Sequence, residues 1–256
     1  MTLKILLAGE SWISTASHIK GFDQFATATY HTGADRFVSL IEKGDLRVDW
    51  LKAHDVPKDF PSTTEALSSY DVVILSDIGA NAILLHTDTW LNSRVTPNRL
   101  KLLRSYVRSG GGLLMVGGYF SFQGINGGAR FRDTPVEDVL PVTMHPFDDR
   151  LEAPDGFQMT VAARHAITAG IATAGAPALL GLNEVRPRPG AEVLLTAPID
   201  EGRVHPLLVV GEAGRGRSAA WTSDIGPHWM PNEFLAWPGT AALFDRLIRW
   251  LAGQPI

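Results

Sequence analysis

Residues Tyr70-Asp71-Val72-Val73-Ile74-Leu75-Ser76-Asp77 read as a strand without a polar face. Successive side chains of an extended chain point to opposite sides, so four aliphatic residues in a row need cover on both. That is the condition of an interior strand in a parallel sheet, whose neighbours are joined by helical crossovers. Working outward, Ile5 to Ala8 and Leu113 to Val116 are two further apolar runs of this kind. Arg47 to Lys52 alternates through Val48 and Trp50 and predicts another strand. Helical signals fall between these strands. Ala34 to Lys43 carries Phe37, Leu40 and Ile41 at helical spacing and stops at Gly44. Ser62-Thr63-Thr64-Glu65 matches a capping box and predicts a short helix to about Ser69. Thr96-Pro97 offers a capping hydroxyl and a proline at the first helical position, with Leu100, Leu103, Tyr106 and Val107 on one face and Gly110 at the end. Strand and helix in alternation, joined by right-handed crossovers, imply a doubly wound α/β sheet.

The second half is less regular. Phe157 to Ala162, Ala191 to Ala197, Pro206 to Val210 and Ser218 to Thr222 read as extra strands, partly paired as hairpins. Pro238 opens a terminal helix with Leu243, Phe244, Leu247, Ile248 and Leu251 as its buried stripe. No repeat, low-complexity tract or proline-rich linker divides the 256 residues, so one domain spanning 1–256 is expected.

Composition narrows the function classes. A formal charge of −4 with scattered lysines and arginines gives no basic face for nucleic acid. The densest group, Arg94, Arg99, Lys101, Arg104 and Arg108, has helical spacing and reads as a solvated helix face. No apolar stretch approaches the ~20 residues that cross a bilayer, and Met1 to Leu7 is too short for a signal peptide's apolar core. No membrane partner is expected, and cytoplasm is the default location. The chain has no cysteine, which excludes disulfides and thiolate ligands. Its eight histidines lack metal-ligand spacing, His86-Thr87-Asp88 included, so neither metal nor cofactor is expected. The glycine-rich stretches 110–112 and 124–128 lack the features of a phosphate loop and read as turns.

Open doubly wound sheets bind ligands beyond the carboxyl ends of their strands. Three loops are expected there, Gly9 to His18, Asp77 to Val95, and Gly117 to Thr134. They supply Glu10, Ser11, Trp12, Asp77, Asn81, Gly117, Gly118, Tyr119, Ser121, Gln123, Asn126 and Arg130, with His228, Trp229 and Trp237 closing one wall. Carboxylates, amides and aromatics in this mixture suit a small polar ligand such as a sugar or amino acid. Each of Trp12, Trp229 and Trp237 also fits plain core packing.

Gly111-Gly112-Leu113-Leu114-Met115-Val116-Gly117-Gly118-Tyr119-Phe120-Ser121 reads as a strand entering a tight turn. Together with residues 70–77, Pro135 to Val142, Arg164 to Ile171, Gly214 to Asp224, Pro227-His228-Trp229 and Phe234 to Pro238, it resembles the class I glutamine amidotransferase-like family, with kinship to trehalose-utilisation-type domains. The resemblance spans nearly the whole chain. It implies a flavodoxin-like three-layer α/β/α sandwich, mainly parallel, with additional strands in the C-terminal half. In working members of that family, the turn carries a nucleophilic cysteine in a Gly-x-Cys-x-Gly pattern, served by a histidine and by a glutamate two residues after it. Here Tyr119 occupies the cysteine position, Ser121 that of the last glycine, and Met230 follows His228 where the carboxylate belongs. A phenol of pKa ~10 stays protonated near neutrality and is no ready substitute. Cysteine-dependent glutaminase activity is therefore expected to be absent. Ser121, His228 and Asp224 remain as an alternative serine hydrolase set, though the Gly-x-Ser-x-Gly elbow is missing. A structural or assembly module is a further alternative, and a homo-oligomer is expected on general grounds.

Overall fold

The computed structural model describes residues 2–200 and 203–256. Its elements run β1 (Leu3–Gly9), β2 (Ser11–Lys20), β3 (Asp23–Thr32), α1 (Asp35–Ile41), β4 (Leu46–Leu51), α2 (Val56–Asp59), α3 (Thr64–Leu67), β5 (Val72–Ser76), α4 (Ala80–Leu84), α5 (Thr87–Asn92), α6 (Arg99–Arg108) and β6 (Gly112–Val116). There follow β7 (Val142–Met144), β8 (Arg150–Phe157), β9 (Thr160–Val161), β10 (Leu179–Asn183), β11 (Val185–Pro187), β12 (Glu192–Asp200), β13 (Arg203–Ala213), β14 (Gly216–Trp221), α7 (Asn232–Ala236) and α8 (Pro238–Leu251).

Eight strands form the main sheet in the order β4-β1-β5-β6-β14-β13-β12-β9. The first five are parallel, and β13, β12 and β9 extend them antiparallel. This is the flavodoxin-like order, with its switch point between β1 and β5. Register explains why the strands carry apolar runs. Leu7 pairs with Ile74, Ile74 with Leu114 and Leu114 with Ala219, a row that faces the layer of α1, α7 and α8. One residue on, Ala8, Leu75, Met115 and Ala220 face the opposite layer, which contains α2, α3 and α6. The α8 stripe Leu243, Phe244, Leu247, Ile248 and Leu251 is buried. Each such side chain contributes about 1.5–3 kcal/mol relative to exposure.

Several expected boundaries shift. The short third helix is capped by Thr63, whose Oγ1 accepts from the Ala66 amide at 3.2 Å, while Ser62 donates to the Phe60 carbonyl. The helix expected at Thr96-Pro97 begins at Arg99, because the Asn98 side chain accepts from the Lys101 amide. The Thr96 hydroxyl pairs instead with Thr89. The expected strand at 157–162 splits between the end of β8 and the two-residue β9.

Two differences are larger. The loop expected over residues 9–18 is instead the end of β1 at Gly9 and, from Ser11, the first strand of a ten-residue hairpin pair, β2 with β3. Arg99 is fully buried, so the basic face of α6 is not uniformly solvated. Its guanidinium donates to the carbonyls of Val56, Pro57 and Phe60 at 3.1–3.3 Å, closing off the α2 segment. Arg104 lies nearer solvent and pairs with Asp138 at 2.9 Å.

Candidate functional site

Four adjacent strands end side by side, and each delivers a polar or aromatic side chain just past its last residue. Glu10 follows β1, Asp77 follows β5, Tyr119 follows β6 and Asp224 follows β14. Glycine lets the backbones approach closely enough. A Cβ on Gly9 would lie 1.8 Å from the Ser76 carbonyl oxygen, and one on Gly117 would lie 2.0 Å from that of Thr222. The chain then turns through left-handed backbone at Glu10 (φ 53°) and Asp77 (φ 42°), and His228 sits at φ 128°. Non-glycine residues in such conformations cost on the order of 1–3 kcal/mol each and persist where the surroundings over-determine them.

Three carboxyl groups converge here. Glu10 and Asp224 are buried and hydrogen-bonded to one another. The Ser76 hydroxyl donates to Glu10 Oε1 at 2.5 Å. Asp224 Oδ1 accepts from the amides of Ile225 (2.7 Å) and Gly226 (3.1 Å), and its Oδ2 lies 4.0 Å from His228 Nδ1. Asp77 accepts from the Phe120 amide at 2.7 Å, while its own amide donates to Ser121 Oγ at 3.0 Å. Burial pushes the Glu10 carboxyl up to about 8, with the neighbouring charge of Asp77 adding to the rise. Burial also raises Asp224 well above the usual carboxylate range, followed by the charges of Glu10 and Asp77. Asp77 moves the same way through burial, held back by the Phe120 amide and His228. Two carboxyls this close and this buried cannot both ionise cheaply, so burial and their mutual charge favour the protonated form in this pair. Gly33 and Gly226 wall this pair, since a Cβ on either would approach Glu10 Oε2 to 2.6 or 3.1 Å.

An aromatic ladder borders the carboxyls. Tyr119 stacks on His228 with centroids 5.0 Å apart and planes at 22°. Trp12 lies 5.5 Å from His228 and stacks on His31 at 5.2 Å. The Arg150 guanidinium covers the Tyr119 ring at 4.7 Å. Burial, followed by the charge of the nearby Glu152, holds the tyrosine hydroxyl protonated above its ordinary range. Trp229 is buried, donating to Glu152 Oε2 at 2.9 Å and tilting against Tyr119. Behind the turn, Asn183 accepts from the Gly118 amide and donates to the buried Asp149, which also accepts from the Gln123 and Gly124 amides.

Glu10, Asp77, Trp12, Tyr119, His228 and Asp224 are thus brought together, while other expected site residues go elsewhere. Ser11 is buried and accepts from the Ala53 amide at 2.8 Å, a structural bond. Ser121 serves the Asp77 backbone and has no hydrogen bond to His228. Asn81 and Arg130 are exposed, the former on α4. Asn126 is exposed and its amide donates to Asp148. Trp237 packs edge-on against Phe234 between α7 and α8. His31, Ser76, Asn183, Arg150 and Glu152 carried no sequence signal, because distant parts of the chain meet only in the fold. No group of three or more His, Asp or Glu among the described residues is arranged to hold a metal ion.

The matching protein-family model is described as "Putative glutamine amidotransferase" and covers residues 4–253. The chain is 40% identical to "Cytoplasmic Protein STM1381" and 38% identical to "Cytoplasmic Protein STM3548", both of Salmonella typhimurium. Each comparison covers 97% of this chain and 99% of the other, with a TM-score of 0.91. A thua-like protein of Bacteroides uniformis shares the fold at 15% identity, with a TM-score of 0.58 over 97% of this chain and 91% of the other. Among curated proteins none matches. On the family match over residues 4–253 and the two full-length relatives, the chain belongs to this glutamine amidotransferase-like family, and it does so without a cysteine.

Proposed function

We propose that this protein has no cysteine-dependent glutaminase step and instead binds a small polar metabolite at the carboxyl edge of its parallel sheet. The observation that carries this reading is the convergence of the buried Glu10 and Asp224 carboxyls with Asp77, flanked by the Tyr119, His228 and Trp12 rings. A protonated carboxyl donates a hydrogen bond and an ionised one accepts, so the cluster can read hydroxyl and amine groups together. The aromatic faces suit the C–H surface of a sugar or the side chain of an amino acid. The two Salmonella relatives are described as cytoplasmic proteins, which supports a cytoplasmic setting.

Thermal-shift and calorimetric titration with panels of sugars, amino acids and amides test this reading. A ligand at 100 times its Kd adds about 2.7 kcal/mol, which corresponds to a rise of roughly 5–10 °C in a chain of this size. The rise should vanish in Asp77→Asn and Tyr119→Ala. No response across all three panels would remove the proposal.

A further inference from the structure

A two-residue segment covers the carboxyl cluster. Between the buried Gly226 and the buried Trp229, Pro227 and His228 are both exposed. The ends of this segment are fixed. Asp224 Oδ1 accepts from the Ile225 and Gly226 amides, and the Met230 amide donates back to the Gly226 carbonyl at 3.2 Å. Trp229 is held through its indole by Glu152 and through its carbonyl by the Leu180 amide at 2.9 Å. Movement is therefore confined to the two residues in the middle.

These two residues lie over the carboxyls. The His228 side chain is 41% exposed, whereas that of Asp224, whose Oδ2 lies 4.0 Å from His228 Nδ1, is only 3% exposed. Glu10 is buried as deeply. Pro227 closes the other side at Gly33, where a Cβ would lie 2.6 Å from Glu10 Oε2, 3.4 Å from the Trp12 ring and 3.6 Å from Pro227 Cδ. A hydroxyl or amine therefore reaches Glu10 or Asp224 only when this cover moves. The cover is also strained. The φ of 128° at His228 belongs to a region adopted essentially by glycine, which other residues hold only where their surroundings enforce it. Here the enforcing contacts are the rings of Tyr119 at 5.0 Å and Trp12 at 5.5 Å. Such contacts are individually weak and can part while β1, β6 and β14 stay paired. We propose that Pro227-His228 is a flap that gates the Glu10–Asp224 pair, seated by Tyr119 and Trp12 and released to admit a ligand. The purpose of the flap rests on the ligand reading, but its movement does not and is measured with no ligand present.

Carboxyl labelling with a water-soluble carbodiimide and glycinamide, read by mass spectrometry under single-hit conditions, measures access to Glu10 and Asp224. In the wild-type chain the labelling rate should be insensitive to urea below the unfolding transition, as local opening requires. A rate that climbs with the full slope of global unfolding overturns the proposal, and this comparison needs no variant. His228→Gly removes the ring and accepts the same φ without strain. With a cooperative melt retained, it should label about 10-fold faster or more, as the loss of two ring contacts implies. His228→Phe keeps a ring between Tyr119 and Trp12 and should stay within about 3-fold of wild type. An unchanged rate in His228→Gly, or a His228→Phe rate equal to that of His228→Gly, also overturns the flap. Local opening together with a silent ligand panel would overturn the binding reading alone.

Discussion

Tyr119 and His228 lie ring on ring, 5.0 Å apart, at the turn where the family's nucleophile and base would face one another. The contact is ring packing, and the Arg150 guanidinium lies 4.7 Å from the same tyrosine ring. Restoring a thiol should therefore not restore a reaction. In Tyr119→Cys, His228 has lost its stacking partner, Met230 still stands where the orienting carboxylate belongs, and ammonia release from glutamine should remain at background. Measurable release above a Tyr119→Ala control would show that the catalytic geometry survives beneath the substitution.

Stability should fall as pH rises through neutrality. Glu10 titrates at 4.5 in the unfolded chain and about 8 in the fold, so the native state holds a proton that the unfolded state has released. Its stabilising contribution is complete below 4.5 and is lost as pH climbs through about 8. Asp77 and Asp224 are raised as well and act in the same direction. At the acid end Asp148, lowered to about 2 chiefly by its Arg150 bonds, contributes stability that disappears only as pH falls through that value. Glu10→Gln, neutral at every pH, should flatten the alkaline slope and leave the protein more stable than wild type near pH 9. Melting temperature against pH for the two proteins checks this.

The buried guanidinium of Arg99 gives a stability prediction far from the site. Arg99→Met leaves three carbonyls around α2 without their donor and should destabilise by about 2–4 kcal/mol. Urea unfolding should show a lower midpoint with an unchanged slope. Arg99→Lys should recover part of the loss.

Gly117→Ala forces a methyl carbon to within 2.0 Å of the Thr222 carbonyl and 2.8 Å of Asn183 Oδ1. The β6 turn must then part from β14, and a loss of about 3 kcal/mol or more, or failure to fold, is expected. Gly44→Ala isolates the conformational penalty, since its φ of 68° has nothing within 4 Å of the new methyl. It should lose only about 1 kcal/mol. Equal effects in the two variants would contradict the close strand approach.

These residues also show where the sequence was legible. Val72–Ser76 and Gly112–Val116 announced themselves because burial on both faces demands an unbroken apolar run, and α8 because its stripe repeats at helical spacing. Glu10, Asp77 and Tyr119 followed from a rule of topology, that chemistry collects beyond strand ends. The β2–β3 arm escaped because serine, threonine, alanine and histidine without apolar alternation carry no strand period, and pairing rather than burial holds it together. Arg99 escaped because helical spacing does not say which cation points inward. The Glu152–Arg150–Tyr119 contacts join a turn to a strand about thirty residues away, a distance that no local pattern encodes.

The chain leaves for the arm at Glu10 and returns at Gly33, where one amide-to-carbonyl bond of 2.9 Å closes the gap. Everything between those residues is a stem-and-tip excursion whose mouth is already sealed. The arm can therefore be lengthened or trimmed by residue pairs beyond Trp12 and His31 while the carboxyls beneath keep their positions. The tip at Gly21 and Phe22 is correspondingly the place to splice in an epitope or a fluorophore.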